Sequence, residues 1–247
     1  MSKNFYEGKN IWIIGGTTGI GLALALQLSK LAKNVVVSGR SNFESSAPNL
    51  SFIRLDVTKL EEVESALTQI KSRLNHLDIL IFCAGIYEPM GLKNFNLQKS
   101  REILDVNFGG FLNVIENLNL LQRELKLGHL AVVSSIASYF GMPNSLCYGA
   151  SKAALSNIVE SLFYELKNQV KVQLINPGFV KTRLTDQNNF KMPFLISNQE
   201  AAEIILKNLP REKFEISFPA AFSRPMRLIK ILPYKARFWV LKLLKIT

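Results

Sequence analysis

The sequence predicts an α/β domain built on a doubly wound, parallel β-sheet of about seven strands with helices on both faces. Short β-branched runs recur along most of the chain, and longer stretches with helical periodicity separate them. The runs are apolar at nearly every position rather than at alternate ones. A strand that is apolar on both sides must be covered on both sides, the condition inside a parallel sheet flanked by helices. Repeated alternation of strand and helix leads to the same architecture.

The first strand is IWIIG at 11–15, and a helix follows over 20–33. VVVSG at 35–39 and FIRLD at 52–56 are the next two strands. Thr58 is placed to cap a helix over 59–74, whose first turn carries Glu61 and Glu62, where the helix dipole favours negative charge. ILIFCAG at 79–85, a helix over 99–126, LAVVSS at 130–135 and a helix over 148–168 continue the pattern. VQLINPG at 172–178 ends at Pro177-Gly178, because proline lacks a ladder donor and glycine permits a sharp turn. A helix over 198–208 and FEISF at 214–218 complete the series. With no internal repeat or flexible linker, residues 1–218 read as one domain and 219–247 as a basic amphipathic appendage.

A chain of 247 residues is long enough to bury a full core, and 48% hydrophobic with 20% charged residues excludes a disordered chain. No apolar run approaches the roughly 18–20 residues needed to span a bilayer, and MSKNFYEGKN lacks the apolar core of a secretory signal. The two cysteines, Cys83 and Cys147, form no disulfide framework and show no metal-ligand spacing, so a cytoplasmic, reducing setting is expected. His76 and His129 fall near the ends of elements and are read as surface residues.

GGTTGIG at 15–21 lies between the first strand and the first helix. Glycines at 15, 19 and 21 allow a tight turn and let backbone approach a pyrophosphate at the helix N-terminus, where free N–H groups attract anions. Gly15, Thr17, Thr18, Gly19, Ile20 and Gly21 are therefore candidate contacts for a dinucleotide. An NAD site usually carries an acidic residue at the end of the second strand. Here Ser38-Gly39-Arg40-Ser41 offers a guanidinium suited to a 2′-phosphate, which favours NADP. Further along, Tyr148 and Lys152 share one face of a helix in YGASK, a spacing that lets an ammonium lower a phenol pKa for acid-base work.

GGTTGIG at 15–21, LDV at 55–57, CAG at 83–85, VN at 106–107, SS at 134–135, YGASK at 148–152 and PGFVKT at 177–182 form one ordered set. In it the chain resembles the short-chain dehydrogenase/reductase family over residues from about 10 to 185. The resemblance implies a Rossmann-type sheet of strand order 3-2-1-4-5-6-7 and a homodimer or homotetramer. It implies Tyr148 as catalytic acid/base, and Lys152 as the residue that binds the nicotinamide ribose and lowers the tyrosine pKa. Ser135 would hold the substrate oxygen, and Asn107 a water of the proton relay. Asp56 and Val57 would flank the adenine, and Ala84 and Gly85 would let the cofactor approach. Val180 and Thr182 would contact the nicotinamide carboxamide, and Pro177 and Gly178 are further candidate cofactor contacts. The chain departs from the family at Cys83, where an asparagine is usual.

The expected function is NADP(H)-dependent interconversion of a ketone or aldehyde and an alcohol. The alternatives are a non-catalytic NADP-binding regulatory protein, and an epimerase or dehydratase on the same framework. A lid at about 184–200 carries Phe190, Met192, Phe194, Leu195 and Ile196, which suggests an apolar or lipid-like substrate if they do not simply pack on the core. Pro219 to Thr247 holds seven Lys or Arg and no Asp or Glu. An anionic membrane surface is one expected partner for this tail, on the cytoplasmic face; an oligomer interface or a cover over the substrate cleft are the others. Nothing beyond charge suggests nucleic acid.

Overall fold

The computed structural model describes residues 2–189 and 192–244. Its seven strands are β1 (Asn10–Ile14), β2 (Asn34–Gly39), β3 (Leu50–Arg54), β4 (Ile79–Phe82), β5 (His129–Val133), β6 (Lys171–Pro177) and β7 (Glu215–Phe218). They form one sheet in the order β3-β2-β1-β4-β5-β6-β7, with every pair parallel. This is the order the family resemblance implied.

Alternation along each strand divides the apolar residues between two cores. Trp12, Ile14, Leu80 and Phe82 pack with Phe111 and Leu155 on one face, while Ile11, Ile13, Ile79 and Ile81 pack with Leu24 and Ile205 on the other. The covering helices include α1 (Ser2–Tyr6), α2 (Gly19–Leu28) and α3 (Leu60–Arg73). On α1, the buried Tyr6 hydroxyl donates to the Leu206 carbonyl at 2.7 Å. Since β1 and β4 are neighbours whose connections leave in opposite directions, a crevice opens beyond their carboxyl ends, the usual ligand position in such sheets.

The structure corrects three expectations. Thr58 does not cap α3: its hydroxyl donates to Asp56 Oδ1 at 2.8 Å, and Glu62 Oε2 accepts the Asp56 backbone N–H at 2.8 Å. Lys59 stands at the cap position and makes no side-chain cap bond, its Nζ pairing instead with Glu62 Oε1 at 3.1 Å. The single helix expected over 99–126 is divided into α4 (Leu97–Leu104), a π-helical turn at Asp105–Gly109, α5 (Gly110–Glu116) and α6 (Leu118–Leu125). His129 is buried on β5, not on the surface.

Beyond α7 (Leu146–Glu165) and α8 (Asn198–Asn208), the chain ends in a hairpin of α9 (Ala220–Lys230) and α10 (Tyr234–Leu243). Met226, Ile229 and Leu241 of the hairpin form a third cluster with Ile136, Tyr139 and Phe140. At about 1.5–3 kcal/mol for each fully buried large side chain, three such residues hold the hairpin against the domain. No helix among the described residues is long and apolar enough to cross a membrane.

Candidate active site

The crevice is lined first by the glycine-rich turn. The N–H groups of Gly15 and Gly16 both donate to the Ser38 carbonyl, at 2.8 and 3.1 Å, which ties the turn to the end of β2. Gly15 has φ +83°, and a Cβ there would lie 2.5 Å from the Ala84 nitrogen, so only glycine lets the turn and β4 meet. Thr18 is the extended residue ahead of α2 and makes no side-chain cap bond, so its hydroxyl takes none of the first-turn N–H groups. Gly19, at φ +55°, faces Thr182: a Cβ at Gly19 would meet Thr182 Cγ2 at 3.3 Å. Thr17 lies against Gly39 in the same way, and Ile20 packs into the core beneath the turn. Cys83, where the family has asparagine, accepts from the Gly21 N–H, and burial pushes its thiol up to about 11.

A cavity of about 620 Å³ continues from the ends of β2 and β3 toward α4, lined by Arg40, Asp56, Thr58, Arg101 and Val106 among others. Arg40 is exposed at its edge. Burial raises the Asp56 carboxyl, but two hydrogen bonds from Thr58 and the Arg40 charge outweigh it, so Asp56 stays ionised below its ordinary range. Val57 is buried against Gly110, where a Cβ would lie 2.5 Å from its Cγ2. Arg101, a second guanidinium on this cavity, was not anticipated: on a helix of mixed charges nothing in the sequence separates it from its neighbours.

The four expected catalytic residues come from three places in the fold, Tyr148 and Lys152 sharing α7. Asn107 lies in the π-helical turn, fully buried. Its Oδ1 accepts the Ile86 N–H at 2.7 Å, and its Nδ2 donates to the Ile86 carbonyl at 2.9 Å and Ser151 Oγ at 3.0 Å. The widened turn thus lets one side chain bond both backbone groups of Ile86, just past β4. Lys152 is buried on α7 and donates from Nζ to the Val133 carbonyl at 3.1 Å. A Cβ on Gly85 would lie 3.3 Å from both Lys152 Nζ and Asn107 Oδ1, so a side chain at Gly85 would close the space they share.

Ser135 caps a short 3-10 turn at Ile136–Ser138, its Oγ accepting the Ala137 N–H at 3.1 Å, and its hydroxyl lies close enough to the Tyr148 phenol to pull that pKa down. The electrostatics differ from the sequence expectation. Burial drives the Tyr148 phenol up to about 12; the Ser135 bond pulls down, and Tyr87 and Cys83 push up. Lys152 does not lower it here, because its Nζ is held by Val133 and lies 5.9 Å from the tyrosine ring centroid. Burial instead brings Lys152 itself down to about 8. At neutral pH this leaves a protonated phenol and a mostly protonated amine.

Tyr87 is the functional candidate the sequence did not reveal. Its ring meets that of Tyr148 edge-on, with centroids 4.8 Å apart, and its hydroxyl donates to Asn188 Oδ1 at 2.7 Å. Gln187 donates to the Tyr87 carbonyl at 3.1 Å, so the start of the lid is fastened beside the phenol. Ile196 of the lid pairs with the buried Val180 ahead of it and packs on the core, whereas Phe194 and Leu195 are exposed. Phe190 lies outside the described residues. Gly178 donates to the Phe218 carbonyl at 2.7 Å and faces Phe222 of α9, so its missing side chain serves packing there; Pro177 ends β6 beside it.

The short chain dehydrogenase family model matches residues 9–192. An uncharacterized oxidoreductase of Myxococcus xanthus is 33% identical over 90% of this chain and 91% of its own length. A 3-oxoacyl-[acyl-carrier-protein] reductase of Mycobacterium avium is 28% identical over 73% of this chain and 70% of its own. A short chain dehydrogenase of Burkholderia cenocepacia, solved in complex with NADP, superposes with TM-score 0.83 at 24% identity, covering 93% of this chain and 95% of that one. With these likenesses and its sheet order, the chain belongs to the short chain dehydrogenase family.

Proposed function

We propose that the protein is an NADP(H)-dependent carbonyl reductase in which Tyr148 gives the proton and Ser135 holds the substrate oxygen. The observation that carries this reading is the Ser135–Tyr148 pair, with the phenol held protonated by burial at the mouth of the crevice. A raised phenol pKa keeps the acid form in place, which suits reduction better than oxidation. Lys152 supplies positive charge beneath the phenol, and Asn107 fixes the Ile86 backbone that borders them.

The residues fit a dinucleotide: the glycine turn leaves space that a Cβ would fill, and Arg40 and Arg101 offer guanidinium groups for a 2′-phosphate. Asp56 and Val57 would border the adenine; Ala84, Gly85, Val180 and Thr182 would border the nicotinamide. When bound, NADPH supplies the hydride. NADP in the Burkholderia structure supports the cofactor, and the acyl substrate named for the mycobacterial relative, with exposed Phe194 and Leu195, supports an apolar or acyl-chain carbonyl substrate. Residues 1–218 would form the catalytic domain, with 184–200 as its lid and 219–247 as an appended hairpin. A homodimer or homotetramer in the cytoplasm, associated with a membrane surface through that hairpin, belongs to the same reading.

The test follows NADPH absorbance with a panel of long-chain aldehydes, acyl thioester ketones and sterol ketones, using NADH in parallel. Arg40→Ala should weaken NADPH binding by about 10–100-fold, the worth of charge-assisted bonds of ~1.5–3 kcal/mol, and leave NADH nearly unchanged. Equal losses for the two cofactors would reject the Arg40 assignment, and no oxidation with any carbonyl would reject the reaction.

A further inference from the structure

The C-terminal hairpin uses only part of its apolar surface against the domain. On α9, Ser223, Met226 and Ile229 are buried against the domain, and on α10 Leu241 alone is buried. The rest of the hairpin carries Leu228, Ile231, Tyr234, Phe238, Trp239 and Leu243, each more than half exposed. A helix pair resting on its domain in water needs apolar groups only where it touches the domain; a further cluster of exposed ones, rich in aromatic side chains, requires something to cover it.

The cations narrow the choice of partner. Of the six Lys and Arg between 219 and 244, Arg227 pairs with Glu215, and Arg237 donates to the carbonyls of Lys230 and Leu232. Lys230 lies over the Tyr139 ring. Arg224, Lys235 and Lys242 remain exposed, with no acidic partner among the described residues. A surface of apolar and aromatic groups set among free cations, with no acid in the hairpin, complements anionic headgroups over an acyl layer. Face-to-face packing of two copies would instead bring like charges together.

We infer that the outer side of the α9–α10 hairpin, from Leu228 to Leu243, docks on an anionic lipid bilayer. This deepens the membrane association named in the functional reading: it assigns the docking to one side of the hairpin and to anionic lipid. The inner side fixes that surface beside the crevice. Met226 and Ile229 pack on the segment that follows Ser135, and Phe222 of α9 lies 6.4 Å from Phe194 of the lid between ring centroids. A carbonyl substrate dissolved in the bilayer would then meet the lid where the protein meets the lipid. The docking requires no turnover, so it stands or falls separately from the reduction chemistry.

The full chain reports on this by itself, because its two tryptophans differ: Trp12 is fully buried, while Trp239 is 64% exposed. Flotation and tryptophan emission would be measured with vesicles of phosphatidylcholine alone and of phosphatidylcholine mixed equally with phosphatidylglycerol. The expected result is flotation and a blue shift with the mixed vesicles and far less with the neutral ones. The shift should vanish in Trp239→Phe. Combined Arg224→Gln, Lys235→Gln and Lys242→Gln should weaken binding roughly a hundredfold, about fivefold for each charge removed. These positions are exposed, so circular dichroism and melting should not change. Absence of flotation with mixed vesicles would overturn the proposal, as would equal binding to both vesicle types. Concentration-dependent self-association that Phe238→Ser abolishes, without vesicle binding, would assign the surface to a second copy instead.

Discussion

At the scale of single residues, the site was legible where chemistry demands one residue type. Gly15, Gly19, Ser135, Tyr148 and Lys152 belong to that class, and the fold brings them to one crevice. Tyr87 and Arg101 were not legible, because an aromatic after Gly85 or a cation on an exposed helix has many uses. The sequence also could not show where Lys152 Nζ points, toward the Val133 carbonyl, nor that burial shifts the pKa values of amine and phenol in opposite directions. A pH dependence follows. Lys152 titrates near 8, so its positive charge is present below that pH and lost above it. In the reducing direction kcat/KM should fall as pH rises through about 8, with no break from Tyr148 below pH 10, since that phenol stays protonated. A profile flat from pH 7 to 9.5 would show that the Lys152 charge plays no part in reduction.

Among the elements, periodicity located the strands to within two residues at their starts, because a buried parallel strand is apolar throughout. It missed the π-helical turn at Asp105–Gly109, since one extra residue per turn barely disturbs a helical pattern. It misplaced His129 because a polar residue opening a strand looks like a loop residue. His129 lies between Ile79 and Lys171 on β5, buried, and its ring nitrogens find no partner with hydrogen-bond geometry. Burial, helped by the charge of Lys171, lowers its pKa to about 3. The folded chain therefore keeps His129 neutral while the unfolded chain protonates it near 6.5. The stability it allows is complete above about pH 6.5 and is lost as pH falls toward 3, at up to about 1.4 kcal/mol per unit. His129→Val should reduce the loss of urea stability between pH 7 and pH 5 by roughly 1–2 kcal/mol. An unchanged pH slope in that variant would mean that His129 charges within the fold.

For the whole molecule, the single sheet and its strand order followed from alternation and family resemblance, whereas the position of the last 29 residues did not. Read as sequence they were an appendage; in the structure Met226, Ile229 and Leu241 fill a cluster with Ile136, Tyr139 and Phe140. Glu215 on β7 joins Tyr139 and Arg227 across the same junction. Truncation after Phe218 should therefore lower the urea midpoint, by several kcal/mol of unfolding free energy for three lost apolar side chains. A midpoint equal to that of the full chain would mean that the hairpin rests on the domain without supporting it. In the proposed reduction the crevice, the phenol and the cofactor act together. Its most direct test is transfer of deuterium from NADPH labelled at the reactive C4 position to a long-chain carbonyl substrate, comparing the wild type with Tyr148→Phe. Deuterium is expected on the carbinol carbon of the product, with a rate that falls by about 10²–10⁴ in Tyr148→Phe while NADPH binding persists. Equal rates in the two proteins, or bound NADPH that delivers no deuterium to any carbonyl, would contradict it.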